Sequence, residues 1–253
     1  MISKNIILIF LSLIISCGEE EDRQEVVDKL RGFGISLNKS IFSIDNIKST
    51  SEIEFTAHVL SNDDKKITAQ NYDDSLSKNF FIIPNIEITE TQDPEKIGSL
   101  YLSKIKAKIA IPQIVRDSIS EDLLDQLNGS AKIRYGISLT NSIRTENMVA
   151  DFLVVKNDSE GLKWIPPEVS ITKPSSSEIT LDTKEIEVEA SLSNKNDEDY
   201  KIHWFISGGK IENFRAKTSK WELPEKGEHT LIIGVYGTKS RTFAFASKAI
   251  TIK

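Results

Sequence analysis

Hydrophobic and polar residues alternate along most of the chain from Leu30 onward. Residues 47–60 show this most clearly, with an apolar set made of Ile53, Phe55, Ala57 and Val59. Successive side chains of a strand point to opposite faces, so the pattern predicts a strand with one buried face. His58 belongs to the intervening polar set and is predicted to point outward.

The same period of two predicts strands throughout the chain. Those before residue 163 are 47–60, 79–89, 100–111, 131–139 and 148–155. Those after it are 168–173, 185–192, 200–207, 210–215, 219–223, 229–236 and 242–252. Short strands joined by polar turns are typical of sandwiches and barrels, and we predict a mainly β fold with two tandem β-sandwich domains.

A double proline marks the predicted domain boundary. In the stretch 164–167, Trp164 and Ile165 are followed by Pro166 and Pro167, which cannot continue a helix or a strand ladder. The predicted domains are residues 31–163 and 164–253.

One segment has helical spacing instead. The apolar residues of 118–127 are Ile119, Leu123, Leu124 and Leu127. Ser118 would open the helix, with Glu121 three residues later, and Asn128-Gly129 would close it. We predict one short helix that covers an end of the sheet, and a partner-binding helix is the alternative.

The second domain carries a family resemblance. Within 200–207, Trp204 falls on the inward face of the third predicted strand, where immunoglobulin-like (Ig-like) sandwiches bury a Trp. Gly208-Gly209 is predicted to be a turn between strands. Together with 203–211, the stretches 218–224 and 227–231 resemble the Ig-like and PKD-like domains of bacterial surface lipoproteins. This resemblance implies a fold and a location but no catalytic residue.

The N-terminus reads as a secretion signal. Lys4 precedes an apolar run over 6–15 that is shorter than the roughly 20 residues of a transmembrane helix. The run ends in Ile14-Ile15-Ser16-Cys17, which resembles the lipobox of bacterial lipoproteins. The resemblance implies that residues 1–16 are removed and that Cys17 is lipidated and anchors the protein in a membrane. The alternative is that Cys17 is an ordinary buried thiol.

Residues 17–30 are predicted to form an acidic tether. Glu19, Glu20, Glu21 and Asp22 follow Gly18, and such a run of like charge stays solvated. The run is also similar to surface-export signals, which leaves a sorting label as the alternative. Asp is absent directly after Cys17, and by resemblance this implies the outer membrane, on its periplasmic or cell-surface side.

Composition narrows the possible chemistry. Cys17 is the single cysteine, which excludes a disulfide within the chain. The net charge is −6, and it becomes −7 without residues 1–16, which hold one Lys and no acid. An acidic chain without a basic, aromatic-rich patch disfavours nucleic acid as a partner.

No catalytic, cofactor-binding or metal-binding residue is predicted. His58, His203 and His229 lack the spacing of metal ligands. The acidic residues of 196–199 could bind calcium, but they lack the spaced donors and the glycine of an EF-hand loop, and a solvated turn is favoured.

These observations predict a non-enzymatic, lipid-anchored envelope protein. It would present Ig-like domains to an envelope protein or an extracellular ligand, for binding, adhesion or assembly. A carbohydrate-binding module is one alternative if Trp164 and Trp221 are exposed; otherwise Trp221 faces the core and Trp164 fills the joint between domains. An enzyme with a non-local site is another, and it requires a concave pocket with several ionisable groups.

Overall fold

The computed structural model describes residues 26–27, 29–72, 85–141, 144–156, 165–193 and 198–253. Within these ranges the chain forms seventeen strands and three six-residue helices, which confirms the predicted mainly β class. No helix of the described part is both long and apolar enough to cross a membrane.

Two facing sheets form the first sandwich. Its strands are β1 (Arg31–Leu37), β2 (Ile41–Ser43), β3 (Glu52–Ser61), β4 (Thr68–Asn71), β5 (Asn85–Thr91), β6 (Glu95–Ile97), β7 (Leu100–Ala110), β8 (Ser130–Thr140) and β9 (Thr145–Val155). One sheet has the order β1-β3-β7-β5, with β6 also paired to β7, and the other has the order β2-β9-β8-β4.

Two more sheets form the second sandwich. Its strands are β10 (Glu168–Lys173), β11 (Glu178–Ile179), β12 (Glu185–Ser193), β13 (Tyr200–Ile206), β14 (Lys210–Ile211), β15 (Thr218–Glu222), β16 (Gly227–Gly237) and β17 (Phe243–Ile252). Their orders are β10-β12-β15-β14 and β11-β17-β16-β13.

Both sandwiches have the same topology. Apart from β6 and the short strands β2 and β11, each sandwich has seven strands: β1, β3, β4, β5, β7, β8 and β9 in the first, and β10 and β12 to β17 in the second. If these seven are counted in chain order, one sheet has the order first, second, fifth, fourth, and the facing sheet contains the third, sixth and seventh, which is the Ig arrangement. A short strand also crosses over beside the seventh: β2 runs parallel to β9, and β11 runs parallel to β17. The prediction of two tandem Ig-like sandwiches is therefore confirmed.

Each sandwich has its own hydrophobic core. In the first, the largest fully buried aromatic residues are Tyr135 and Phe152. In the second they are Trp204 and Trp221, whose indole N–H groups donate to the carbonyl oxygens of Ala216 (2.8 Å) and Gly208 (3.0 Å). Trp204 therefore occupies the core, as predicted.

A third apolar cluster joins the two sandwiches. Its buried members are Val27, Phe33, Leu60, Leu100, Leu102, Phe205, Ile232 and Phe243. A bulge in β1 between Gly32 and Gly34 turns Phe33 toward the second sandwich. The Phe33 ring meets those of Phe205, Phe243 and Phe245 edge to face, with centroids 5.1–5.7 Å apart.

Polar bonds support this junction. The Thr230 hydroxyl donates to the Ile97 carbonyl (2.7 Å), and the Ser40 hydroxyl donates to the Ser240 carbonyl (2.8 Å). Val27 lies before β1, yet its N–H donates to the carbonyl of Ile206 in β13 (2.8 Å). The two sandwiches are thus fastened by an apolar cluster and by hydrogen bonds around it.

His58 departs from its predicted environment. It lies on the outer face of its own sandwich, as the alternation predicts, but only 8% of it is exposed. The second sandwich covers this face, and the His58 ring packs against Phe243 and Phe245. Alternation along one strand shows which face is outward, but it does not show that a second sandwich covers that face.

The single helix predicted for 118–127 is wrong in its number and its bounds. The described part of the chain has three helices, α1 (Ile44–Ser49), α2 (Gln113–Ser118) and α3 (Glu121–Gln126). Ile119 and Ser120 are extended between α2 and α3, and the Ser120 hydroxyl caps α3 by accepting from the Leu123 N–H (3.2 Å). The predicted close is correct, since the Gly129 N–H donates to the Leu124 carbonyl (2.7 Å).

Strand boundaries also differ in places. The strand predicted over 47–60 begins at Glu52, because residues 44–49 form α1 behind the N-cap Ser43. The strand predicted over 210–215 ends at Ile211, and the one over 79–89 is β5, whose described part starts at Asn85. Periodicity did not predict β1 or the short strands β2, β4, β6 and β11.

Candidate functional site

A cleft lies where the two sandwiches meet. It has a volume of about 860 Å³, and β1 and β9 form one wall while β13 and β16 form the other. Its lining includes residues 32–35, 147–150 and 200–203, together with Arg215, Gly234, Tyr236 and Phe243. Two tandem sandwiches thus create a concavity that neither has alone.

Two glycines of β1 permit close packing at the base of the cleft: Gly32 within the wall formed with β9, and Gly34 against the second sandwich. A Cβ on Gly32 would overlap the Met148 side chain of β9, and a Cβ on Gly34 would overlap the Phe243 ring. Any larger residue at these positions would push β1 away from one of its neighbours. The glycines therefore position the base of the cleft.

Part of β9 presents an unpaired backbone edge to the cleft. The N–H of Leu153 donates to the carbonyl of Ser40, so the backbone groups at odd positions of β9 point away from β8. β2 pairs only with residues 153–155 of β9. Within the described residues, no main-chain partner pairs with Asn147 or Val149 on this side.

The edge of β13 is largely occupied. The N–H of Trp204 donates to the carbonyl of Phe214 (2.8 Å), and the carbonyl of Ile206 accepts from Val27. These bonds show that even positions of β13 face away from β16. Ile202 has no main-chain partner on that side among the described residues.

The charged lining of the cleft is cationic. Lys201 and Arg215 line it, and none of the described lining residues is Asp or Glu. Nearby acids are already bonded: Asp151 pairs with Arg134 (3.1 Å), and Glu198 accepts from the N–H groups of Lys239 (2.7 Å) and Ser240 (2.8 Å). A chain with a net charge of −6 therefore has a cleft suited to an anionic ligand.

His203 is held between aromatic rings. Its ring stacks on Phe205 (centroids 4.4 Å apart) and lies 4.6 Å from Phe214. Burial, with the positive charges of Arg215 and Arg31, lowers the pKa of His203 to about 4, so the ring is neutral at pH 7. Its Nε2 has no hydrogen-bond partner among the described residues.

The cleft is concave and holds several ionisable groups, as the enzyme alternative requires, but its described lining shows no paired base and nucleophile. Its ionisable side chains are Lys201, His203, Arg215, Tyr200 and Tyr236. No carboxylate or nucleophile of the described lining bonds to the imidazole of His203, as a base and nucleophile pair would require. The arrangement offers backbone edges, aromatic surface and positive charge, which are groups that bind ligands.

The residues that the sequence analysis named as candidates do not come together at one site in the described part of the chain. Cys17, Trp164 and the first residues of the 196–199 loop lie outside the described residues. Trp221 is fully buried, which removes it as a sugar-stacking residue. The Gly208-Gly209 turn is confirmed, with Gly209 at φ +82°.

The histidines and acids give no metal site in the described part of the chain. His58 packs at the junction, His203 lines the cleft, and the Nε2 of His229 lies 2.8 Å from the carbonyl oxygen of Glu225. In the residues that the structure describes, no three His, Cys, Asp or Glu side chains could hold a metal together.

Sequence reasoning missed the cleft. One local signal was present: Val149 sits among polar residues on the outer face of β9, and 46% of it is exposed. The other lining residues look like ordinary strand positions, because only the contact between the sandwiches brings them together.

Comparisons with known proteins identify no family for this chain. No family model and no curated protein matches it. A solved PKD domain from the KIAA 1837 protein is 17% identical, covers 30% of this chain and 78% of its own, and has a TM-score of 0.26.

Two further solved structures are similarly distant. The fibronectin(III)-like modules of Clostridium thermocellum CbhA are 13% identical and cover 87% of this chain and 94% of their own, with a TM-score of 0.31. The PKD domain of human KIAA0319 is 16% identical and covers 38% and 89%, with a TM-score of 0.29. At such scores these likenesses assign neither a family nor a function.

Proposed function

We propose that the protein is a non-enzymatic lipoprotein of the bacterial outer membrane, anchored by lipid on Cys17. Its two Ig-like sandwiches hold the cleft at their junction and present it to another envelope protein or an extracellular ligand. The segment that begins at Cys17 connects the lipid to these sandwiches, and two residues of the predicted tether, Val27 and Leu30, are buried in their apolar clusters. Two acyl signals would make the anchoring stable, whereas a single chain binds reversibly.

One observation carries the binding role: the cleft is walled by both sandwiches, and the apolar cluster at their junction fixes it. Phe33 packs against three aromatic rings of the second sandwich. A preformed concavity lined by apolar groups and a few polar ones is the usual form of a ligand site. Preorganisation also limits the entropy lost on binding.

The carbohydrate-binding alternative loses support. It required an exposed Trp221, but this side chain is buried and its indole N–H is bonded to Gly208. The cleft contributes Tyr200, Tyr236 and Phe243, which come from three different strands. No observation in the described residues favours a sugar over another ligand.

Anchoring is tested by fractionation and mass spectrometry in a bacterial host. We expect the wild-type chain in the outer-membrane fraction, with an acylated Cys17 as its first residue. Cys17→Ala should leave the chain uncleaved or unacylated. An unmodified Met1, or cleavage at another position in the wild type, would contradict the proposed anchor.

Binding is tested by site-specific photo-crosslinking on intact cells. A photoreactive residue replaces Val149 in the cleft or, as the control, exposed Thr180 in the second sandwich. We expect one discrete adduct from position 149 and none from position 180. Equal labelling at both positions would contradict a specific site in the cleft.

A further inference from the structure

We propose that the cleft binds an extended, acidic peptide segment of a partner protein, which adds as a strand beside residues 145–151 of β9. This inference rests on the proposed function, in which the cleft is the binding site. It further specifies the ligand as a polypeptide and its binding mode as strand addition.

The first support is the half-filled position beside β9. β2 runs parallel to β9 but pairs with Leu153, Val154 and Val155 alone. Residues 145–151, about 20 Å of strand, have no strand on that side in the described part of the chain. A peptide there would continue the row that β2 begins.

The second support is the direction of the backbone groups. Odd positions of β9 point away from β8, so the N–H and C=O groups of Asn147 and Val149 face the vacant position. Strand addition obtains affinity from such main-chain groups. β13 is the poorer acceptor, since Phe214 and Val27 already bond to Trp204 and Ile206.

The third support is the charge of the opposite wall. Among the residues that the structure describes, Lys201 and Arg215 form no ion pair with an acid, and the lining that they share contains no carboxylate. Side chains of an added strand alternate. One set can therefore face the apolar part of the lining, which includes the exposed Val149, while the other places carboxylates near Lys201 and Arg215. A segment of alternating apolar and acidic residues fits both.

The probe is a synthetic peptide of alternating Val and Glu, about eight residues long to match a typical strand, with blocked ends and a fluorescent label. Its binding to residues 18–253 is measured by fluorescence anisotropy. The comparison peptide has Lys in place of each Glu. We expect the acidic peptide to bind at least about tenfold more tightly.

Charge variants test the cationic wall. Lys201→Glu and Arg215→Glu should each weaken the acidic peptide about tenfold, and the double variant should prefer the Lys peptide. Lys226→Glu makes the same charge change at an exposed residue outside the lining and should leave the affinity unchanged.

Val149→Pro tests the backbone edge. The N–H that proline removes points away from β8, so no bond of the β8–β9 ladder is lost, and edge positions tolerate proline. We expect at least about tenfold weaker binding. Val149→Thr keeps the N–H and should bind like the wild type. Thermal unfolding of every variant shows whether the fold is retained. If Val149→Pro does not fold, the charge variants provide the test.

Some outcomes would overturn the proposal. Equal affinity for both peptides, or no loss in the charge variants, excludes acidic strand addition. If replacing Glu19, Glu20, Glu21 and Asp22 by Ser is required before the peptide binds, the chain's own acidic run occupies the cleft and the external partner is excluded. A specific adduct at position 149 without peptide binding would retain the proposed function and reject this inference alone.

Discussion

The two sandwiches share one strand order but differ in what covers their first sheet. In the first sandwich, the outer face of the β1-β3-β7 sheet is partly buried by the second sandwich, with His58, Leu60 and Leu102 beneath it. In the second, the corresponding outer face carries exposed charges, with Glu185 paired to Lys220 (2.8 Å) and Glu187 to Lys173 (2.9 Å). The shared strand order therefore does not determine whether the outer face of this sheet is exposed to solvent or buried in an interface.

The cores differ as well. Both tryptophans of the second sandwich place their indole N–H on a carbonyl oxygen. Tyr135 of the first is equally buried, but its hydroxyl has no partner in the described residues, and burial raises the pKa of this phenol. Within the described residues, one core bonds the polar groups of its large aromatic side chains and the other retains a buried, unbonded hydroxyl, which costs free energy.

The largest effect is expected in the core of the second sandwich. Trp204→Ala removes a fully buried indole and its bond to Ala216, and should lower the free energy of unfolding by about 4 kcal/mol. Denaturant titration measures this change. Trp204→Phe also loses the bond to Ala216 but keeps most of the apolar volume, and should therefore lose less stability; equal losses in the two variants would show that this volume does not stabilise the core.

Coupling between the sandwiches depends on Phe33. Phe33→Ala removes the ring that meets three others across the junction and should cost about 3 kcal/mol. Calorimetry should then resolve separate unfolding transitions where the wild type shows one. If the variant still unfolds in one transition with an unchanged midpoint, the junction does not couple the sandwiches.

Acid should weaken the junction through His58. Burial, and then the charge of Lys104, lowers the pKa of His58 from 6.5 to about 4. The unfolded chain binds a proton more readily, so stability is retained above pH 6.5 and is lost as the pH falls toward 4. This histidine should cost about 2 kcal/mol between pH 7 and pH 5.

The control for this pH dependence is His58→Leu. Denaturant titrations of this variant at pH 7 and pH 5 should show a smaller loss of unfolding free energy than the wild type. The remaining loss includes the contribution of His203, whose pKa is also lowered. An identical slope in the two proteins would show that His58 titrates normally in the folded state.

Tyr135→Phe should have a smaller effect of opposite sign. The change removes the unbonded hydroxyl and keeps the ring, so the free energy of unfolding should rise by about 1 kcal/mol. A measured loss of stability would mean that the hydroxyl has a partner that stabilises the core.

The exposed charge pairs of the second sandwich should matter least. Lys220→Ala breaks a pair in which both side chains are more than half exposed, and water and salt screen such pairs. We expect the denaturation midpoint to stay within experimental error. A clear shift would mean that this face is covered, as its counterpart in the first sandwich is.

Alternation alone gave the strand class and most strands of the second sandwich, because each has one face on the core. Trp204 and Trp221 were placed inside from this pattern, and both are buried. Short strands such as β2 and β11 have too few residues to show a period. The prediction of one helix over 118–127 was wrong in its bounds because Ile119 and Ser120 are extended and separate two helices. Ser120 is itself a good N-cap.

The site was harder to predict than the fold. Lys201, His203 and Val149 lie on different strands of different sandwiches, and no local rule places them together. Their proximity depends on the bulge that turns Phe33 outward and on Gly32 and Gly34, whose missing side chains look like ordinary loop or strand glycines in the sequence.

The bond from Val27 to Ile206 has a consequence for the order of folding. A chain delivered N-terminus first exposes Val27 and Phe33 long before residues 205–206 are available to cover them. Contacts between such distant positions form late, because a long loop must close first. Until the second sandwich has folded, the first therefore exposes an apolar face, and such a surface is prone to aggregation.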